Sequence, residues 1–375
     1  MAAAYTYLDH NATSPIRPVA LDAVVEAVRA GGNPSSVHRP GRAARARIDK
    51  ARRQVAALVG ALPGEVVFTS GGTEANNMAL RGHARGLVSA IEHESVLKMV
   101  PGAERIPVDR DGVIDLAALE RMLAAKPALV SVMHANNETG VIQPIAEVVR
   151  LARAAGALVH CDAVQAAGKV TVDLHGLGVD YLSLSAHKLG GPAGVGALVV
   201  RDGAPFATDR VGGGQESYRR AGTENVAGIA GFGAAAEASR DELREGLDVA
   251  ALRDRIEASL PGKVYGAAAP RLPNTTCIAM PGVKAETQVM ALDLAGVAVS
   301  AGSACSSGKV TRSAVLTAMG VEPAEAETAI RISCGWNTVF EDIDRLIAAW
   351  QGLYTRVARS DIGPASRRAA SRQAA

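Results

Sequence analysis

The sequence predicts an α/β protein: a large domain on a mostly parallel, seven-stranded sheet, followed by a smaller α+β domain. Two observations carry this. Short β-rich runs alternate with helical patterns from Glu65 to Val200, as in a sheet covered on both faces. After a long helical stretch, about Asn225 to Leu260, the order of elements changes. The chain of 375 residues also exceeds the length at which one core usually divides, roughly 250–300 residues.

In order, strands are expected at 65–69, 87–91, 104–108, 128–133, 157–161, 180–184 and 195–200. Helices fall between them at 73–85, 115–125 and 145–155. The last two strands are joined by a Gly-rich loop without a helix, which allows one of them to run antiparallel. Beyond the long helix come a strand at 274–280, a helix at 284–295, the strand-like VAVS, a helix at 310–319, a strand at 329–334 and a helix at 341–357. The expected division is an N-terminal segment 1–16 that joins the small domain, a large domain 17–258, a small domain 259–358, and a disordered basic tail 359–375. The Arg/Lys series from Arg39 to Arg53 reads as a solvated helix face.

Composition excludes several classes. Forty Lys+Arg against 38 Asp+Glu give a net charge of +2, which argues against a nucleic-acid clamp. No apolar run reaches the ~18 residues of a membrane span; the longest, Val226 to Ala236, is mostly small residues. The N-terminus lacks a basic region and meets Asp9 and His10 early, so it does not read as a signal peptide. Four cysteines with no C-x-x-C pair give no disulfide framework, and the cytoplasm is the default compartment. GSACSSGKV has the wrong spacing for a P-loop, and HESVL lacks the second His of a zinc helix. No metal site is expected.

Ligands of open α/β sheets bind at the carboxyl ends of the strands. Those ends carry Ser70-Gly71-Gly72-Thr73-Glu74, His93, Asn136-Asn137, Asp162 with Gln165, and Ser185-Ala186-His187-Lys188. The Ser70–Thr73 segment serves either as a helix cap or as a phosphate cradle. Asp162 follows an apolar run, where a carboxylate is costly unless a cation or several donors face it. Lys188 precedes the Gly-rich GGPAGVG, which leaves room around its amine. An anion cradle, a buried acid and a strand-end lysine together suit pyridoxal 5'-phosphate, which needs a lysine to carry it and an acid at its ring nitrogen. Cys161, Cys277 and Cys334 sit in apolar strand patterns, whereas Cys305 lies in the small-residue run SAGSACSSG and is the candidate thiol nucleophile. Arg331, between two isoleucines, is either salt-bridged or aimed at an anionic ligand.

These segments, with LDHNATSP, GNPSSVHRPG, TSGGTEANN, EHESVL, HANNETGVIQP, HCDAVQAAGK, LSAHKLGGPAGVGAL and RAGTEN, resemble the NifS/IscS-type cysteine desulfurases. These are class V aminotransferases of the fold-type I pyridoxal-phosphate group, and the resemblance runs from about Tyr7 to Tyr354. It implies a fold-type I transferase in which Lys188 carries the cofactor and Cys305 receives sulfur as a persulfide. Gly72, Thr73, Ser185 and His187 would bind the phosphate, and Thr223 would reach it from a partner subunit of a homodimer. Asp162 would pair with the ring nitrogen, Asn137 and Gln165 would contact the ring oxygen, and His93 would stack on the ring and carry protons. Asn137 and Arg331 would hold the substrate, L-cysteine. The implied partner is a sulfur acceptor such as an iron–sulfur scaffold, with no nucleic acid and no membrane. The chain departs from the family after Gly212-Gly213-Gly214-Gln215-Glu216, where Ser217-Tyr218 replaces the usual Arg-Gly. The competing readings are an aminotransferase or lyase that does not use Cys305, a selenocysteine lyase, and a non-catalytic scaffold.

Overall fold

The computed structural model describes residues 5–83, 85–100, 102–208, 210–246, 249–302 and 312–361. Cys305 and the tail from 362 onward lie outside the described residues. The central sheet has seven strands in the order Val66–Thr69, Gly196–Val200, Tyr181–Ser185, Leu158–Asp162, Leu129–Ser131, Gly86–Ser89 and Glu104–Ile106. Gly196–Val200 runs antiparallel to both its neighbours, and every other pairing is parallel. The strand that follows the helix-free, Gly-rich loop is therefore the reversed one. The strands Val66–Thr69, Tyr181–Ser185 and Gly196–Val200 are buried throughout, which suits their apolar sequences in a doubly covered sheet.

A second, four-stranded antiparallel sheet is ordered Ser300–Ala301, Ala329–Ser333, Thr275–Ala279 and Lys263–Val264. It packs with the helix Phe340–Asp361 around a core of its own, where Trp350 is fully buried and stacks on Tyr354. The N-terminal chain joins this part of the molecule. Thr6–Tyr7 pairs in parallel with Val297–Ala298, and Asp9 bridges Ser333.

Several elements differ from the sequence reading for identifiable reasons. The stretch 225–260 is two helices, Val226–Glu245 and Val249–Ser259. Gly246 ends the first, with φ +73° and its N–H bonded to Glu242 O, a left-handed C-terminal stop. VAVS is divided between two different sheets. The last helix continues to Asp361, past the expected start of the tail. The small residues of Val226–Glu245 have a packing role: a Cβ on Gly233 would lie 2.6 Å from Ala51 Cα, so the two helix backbones meet there.

Most of the basic series on the helix Arg39–Leu58 is exposed, as expected of a solvated face, and Arg52 is the exception. Ala44, Ile48, Ala51 and Val55 are buried, and Arg52 folds inward over the Phe68 ring to make two hydrogen bonds, 2.7 and 2.8 Å, with buried Glu216. Arg45 reaches buried Glu224 at 3.2 Å. Buried Glu216 draws Arg52 in and buried Glu224 is met by the exposed Arg45, because leaving either carboxylate unpaired would be costly.

Glu216 lies directly before Ser217-Tyr218, the two residues that depart from the family pattern. Glu216, Ser217 and Tyr218 are left-handed, with φ of 48°, 56° and 64°. Such a backbone costs about 1 kcal/mol or more per non-glycine residue. The Glu216 carboxylate, bonded to Arg52 and the Phe68 N–H, holds the turn. Tyr218 is 76% exposed and gains little from burial. Tyr218→Gly is expected to raise unfolding stability by about 0.5–1 kcal/mol, seen as a higher urea midpoint at unchanged slope.

Candidate active site

Strand ends of the large sheet and one strand of the small sheet converge on a cavity of about 240 Å³. Its wall includes Gly72, Thr73, His93, Asn137, Asp162, Gln165, Ser185, His187, Lys188 and Arg331. Of the residues singled out from the sequence, Thr223 is not among them. It is exposed and lies with Ser70 and Glu216 in a separate cleft. Cys305 lies outside the described residues.

Each side chain is positioned locally. The helix Gly72–Leu80 begins just after Val66–Thr69, so its first amides have no intrahelical acceptor, and Gly72 and Thr73 line the cavity. A Cβ on Gly72 would come within 2.9 Å of Val164, and glycine lets the backbone sit that close. Glu74 locks the loop by accepting from Ser70 N at 2.7 Å and pairing with Arg220 at 2.9 Å. Burial pushes its carboxyl up, but Arg220 and Ser70 outweigh that and hold it at about 2.

Asp162 ends the strand Leu158–Asp162 and accepts from Asn76 Nδ2 at 2.7 Å and Val164 N at 3.0 Å. Asn76 also bonds Ser95, whose hydroxyl and N–H both meet His93 Nδ1. The acid and the histidine are thus tied through two polar side chains that the sequence reading did not single out. Glu92 is fully buried nearby, and burial followed by the charge of Asp162 raises its carboxyl well above the usual range.

Lys188 follows Tyr181–Ser185 in a short 3₁₀ turn, and its Nζ donates to Asn11 O at 2.5 Å and Ala12 O at 2.7 Å. His187 contacts Thr13 Oγ1 at 3.2 Å, and burial, Lys188 and Lys169 lower it to about 4. Of its two alternatives, the structure shows Arg331 salt-bridged, at the edge of the cavity. It pairs with Asp9 at 2.7 Å, donates to Asn137 O at 3.0 Å, and still borders the cavity. Its Nε is buried with no hydrogen-bond partner among the described residues. Glu138 accepts from Ser313 Oγ and is pushed up to about 7 by burial, against Ser313 and Arg331.

The sequence reading missed Asn11, Asn76, Glu138 and Lys169 as individual residues. All four lie inside quoted motifs, and a polar side chain beside an apolar run was the available signal.

The site and fold have known relatives. The class-V aminotransferase family model matches residues 6–346. A cysteine desulfurase of Cereibacter sphaeroides is 45% identical, covering 91% of this chain and 93% of that protein. A cysteine desulfurase of Sinorhizobium fredii is 43% identical, covering 91% and 94%. The NifS-like protein of Rickettsia africae superposes with a TM-score of 0.87 at 35% identity, covering 94% of this chain and 99% of its own. SspA, solved in complex with cysteine, superposes with a TM-score of 0.76 at 29% identity, covering 88% and 98%. The chain belongs to the class-V aminotransferase family. Within that family it falls among the cysteine desulfurases. Among the described residues, no helix is long and apolar enough to cross a membrane.

His160, directly before Cys161 and Asp162, is fully buried between Ser131 Oγ at 2.8 Å and Ser183 Oγ at 3.0 Å. Burial lowers it to about 4 despite Asp162. A histidine depressed in the folded state binds its proton more readily when unfolded, so stability is lost as pH falls below about 6.5. His160→Gln lacks this term. The stability advantage of wild type over His160→Gln should therefore shrink by about 2 kcal/mol between pH 7 and pH 5. Urea titrations of both proteins at the two pH values measure it.

Proposed function

We propose that this enzyme uses pyridoxal 5'-phosphate to desulfurate L-cysteine, giving L-alanine and sulfur held on Cys305 as a persulfide. The observation that carries this reading is the placement of Lys188, Asp162 and Arg331 around one cavity. Its donor set suits the cofactor. The first amides of Gly72–Leu80, with Ser185 and His187, offer a phosphate its hydrogen-bond donors. Asp162, steadied by Asn76 and Val164, would pair with the ring nitrogen and keep it protonated. His93, held by Ser95, supplies a flat ring for stacking, and Asn137 and Gln165 supply polar contacts. When bound, the cofactor would serve as the sink for electrons released at the substrate α-carbon.

The protein's own groups do the rest. Lys188 anchors the cofactor and afterwards takes the α-proton at Nζ. Arg331 holds the substrate carboxylate, and its pairing with Asp9 fixes the guanidinium plane. The Cys305 thiolate forms a bond to the substrate sulfur while the carbon–sulfur bond breaks, and the electron pair stays on the three-carbon fragment, which is protonated to alanine. His93 is the candidate proton carrier for substrate or thiol. SspA, a structural relative solved with cysteine, supports the substrate. By resemblance the working form is a homodimer in which Thr223 completes the neighbouring site, and the persulfide passes to an acceptor for iron–sulfur cluster assembly.

One substitution tests the lysine, and a second separates this reading from transfer chemistry that ignores the thiol. Lys188→Ala should cut alanine formation by about 10³-fold or more and abolish the visible absorption band of the loaded enzyme. Cys305→Ala should keep that band and still change it on addition of L-cysteine, while alanine and persulfide formation stop. Persulfide mapping by mass spectrometry after a cysteine pulse should mark Cys305 and none of Cys161, Cys277 and Cys334, which are buried. A fully active Cys305→Ala enzyme would place the activity with the aminotransferases or lyases.

A further inference from the structure

The N-terminal chain forms part of the cavity wall beside Lys188. Asn11 and Ala12 both line the cavity, and their main-chain carbonyls accept from Lys188 Nζ at 2.5 and 2.7 Å. This stretch is held from both sides. Toward the small sheet, Asn11 N donates to Ser333 Oγ at 2.9 Å and Asn11 Nδ2 to Thr275 Oγ1 at 2.9 Å. Toward the large sheet, Gln165 Nε2 donates to Asn11 O at 3.0 Å. Ser14 N donates to His187 O at 2.8 Å, which ties the same stretch to the residue before Lys188.

We propose that the carbonyls of Asn11 and Ala12 form the station that holds the Lys188 amine whenever it is not joined to the cofactor. The proposal rests on the reading of Lys188 as the cofactor-bearing lysine. That reading gives Nζ two positions: one bonded to the cofactor, and one released while the substrate takes its place. An alkylammonium has three N–H donors and no acceptor. Two carbonyl oxygens on adjacent residues match that group. A nitrogen joined to the cofactor keeps at most one N–H and cannot serve both. The station also suits the proton step. As the substrate C–H bond breaks, its proton ends on Nζ and the electron pair stays with the substrate and cofactor. The lysine then carries a full charge, and carbonyl dipoles already fixed by Ser333, Thr275 and Gln165 receive it without reorganising. Asn11 and Ser333 are thus positioning residues for the lysine, acting through the backbone between them.

A station of this kind has opposite effects on two measurements. It favours the released lysine, both in the cofactor-free protein and during the proton step. Loosening it should therefore tighten the lysine–cofactor bond and slow proton removal, whereas a general defect of the fold would weaken both. Asn11→Ala removes the side-chain anchors of the stretch, and the milder Ser333→Ala removes only the acceptor of Asn11 N. Binding to the full-length, cofactor-free protein is measured by calorimetry with pyridoxal phosphate and with pyridoxamine phosphate, which has no aldehyde to join a lysine. Both variants should bind pyridoxal phosphate about fivefold more tightly than wild type and pyridoxamine phosphate equally well. In the loaded enzyme, exchange of the α-proton of L-alanine in D₂O, followed by NMR, should slow about tenfold. Pyridoxal phosphate affinity that is unchanged or lower, or an unchanged exchange rate, in variants with wild-type circular dichroism overturns the proposal. If Lys188→Ala binds pyridoxal phosphate as tightly as wild type, the reading of Lys188 itself fails, whatever the other two variants do.

Discussion

One buried asparagine holds the site together. Asn11 bonds Lys188, Lys169 and Gln165 on the side of the large sheet. It also bonds Ser333, Thr275 and Asn274 on the side of the small one. Asn11, Gln165, Asn274, Thr275 and Ser333 are polar and buried, and the two lysines are half-buried, so each depends on its partner being present. The constraint is one of register. The N-terminal chain must enter along Val297–Ala298 so that Asp9 meets Arg331 and Asn11 meets both lysines. A slip of one residue would present apolar or wrongly placed groups to all of them.

The charge of the site follows from the same crowding. Arg331, Lys188 and Lys169 come from three separate elements, and Asp9 pairs with Arg331. Glu92 and Glu138 are buried close by, and burial pushes both carboxyls upward. An excess of positive groups in a low-dielectric pocket is unfavourable for the empty protein and favourable for an anionic occupant. A phosphate and an amino-acid carboxylate are such occupants.

Much of this was legible in the sequence because parallel sheets write themselves as apolar runs ending in polar residues. Asp162, Ser185, His187 and Lys188 were found in that way, each directly after a run such as ALVHC or YLSL. Arg331 could be placed in its strand, but its partner could not be read, since Asp9 lies more than 300 positions away. The same holds for Arg52, whose partner Glu216 is a distant residue in a loop. Helical periodicity reports which face is polar and says nothing about a buried carboxylate elsewhere that will draw an arginine inward. The left-handed turn at Glu216–Tyr218 was equally hidden, because none of its three residues is glycine.

The pairing of Thr6–Tyr7 with Val297–Ala298, and of Asp9 with Ser333, bears on how the molecule is made. During synthesis the first dozen residues leave the ribosome long before their partners exist. The large sheet has all its strands once Val200 has emerged, so it can form early. The N-terminal chain must wait, unpaired, until the Ala329–Ser333 strand follows. The carbonyls that receive Lys188 are supplied by that waiting segment. Ribosome-bound chains that stop short of Ser333 would therefore hold a folded sheet with an unfinished site, and competence to take up a cofactor would be among the last properties the nascent protein acquires.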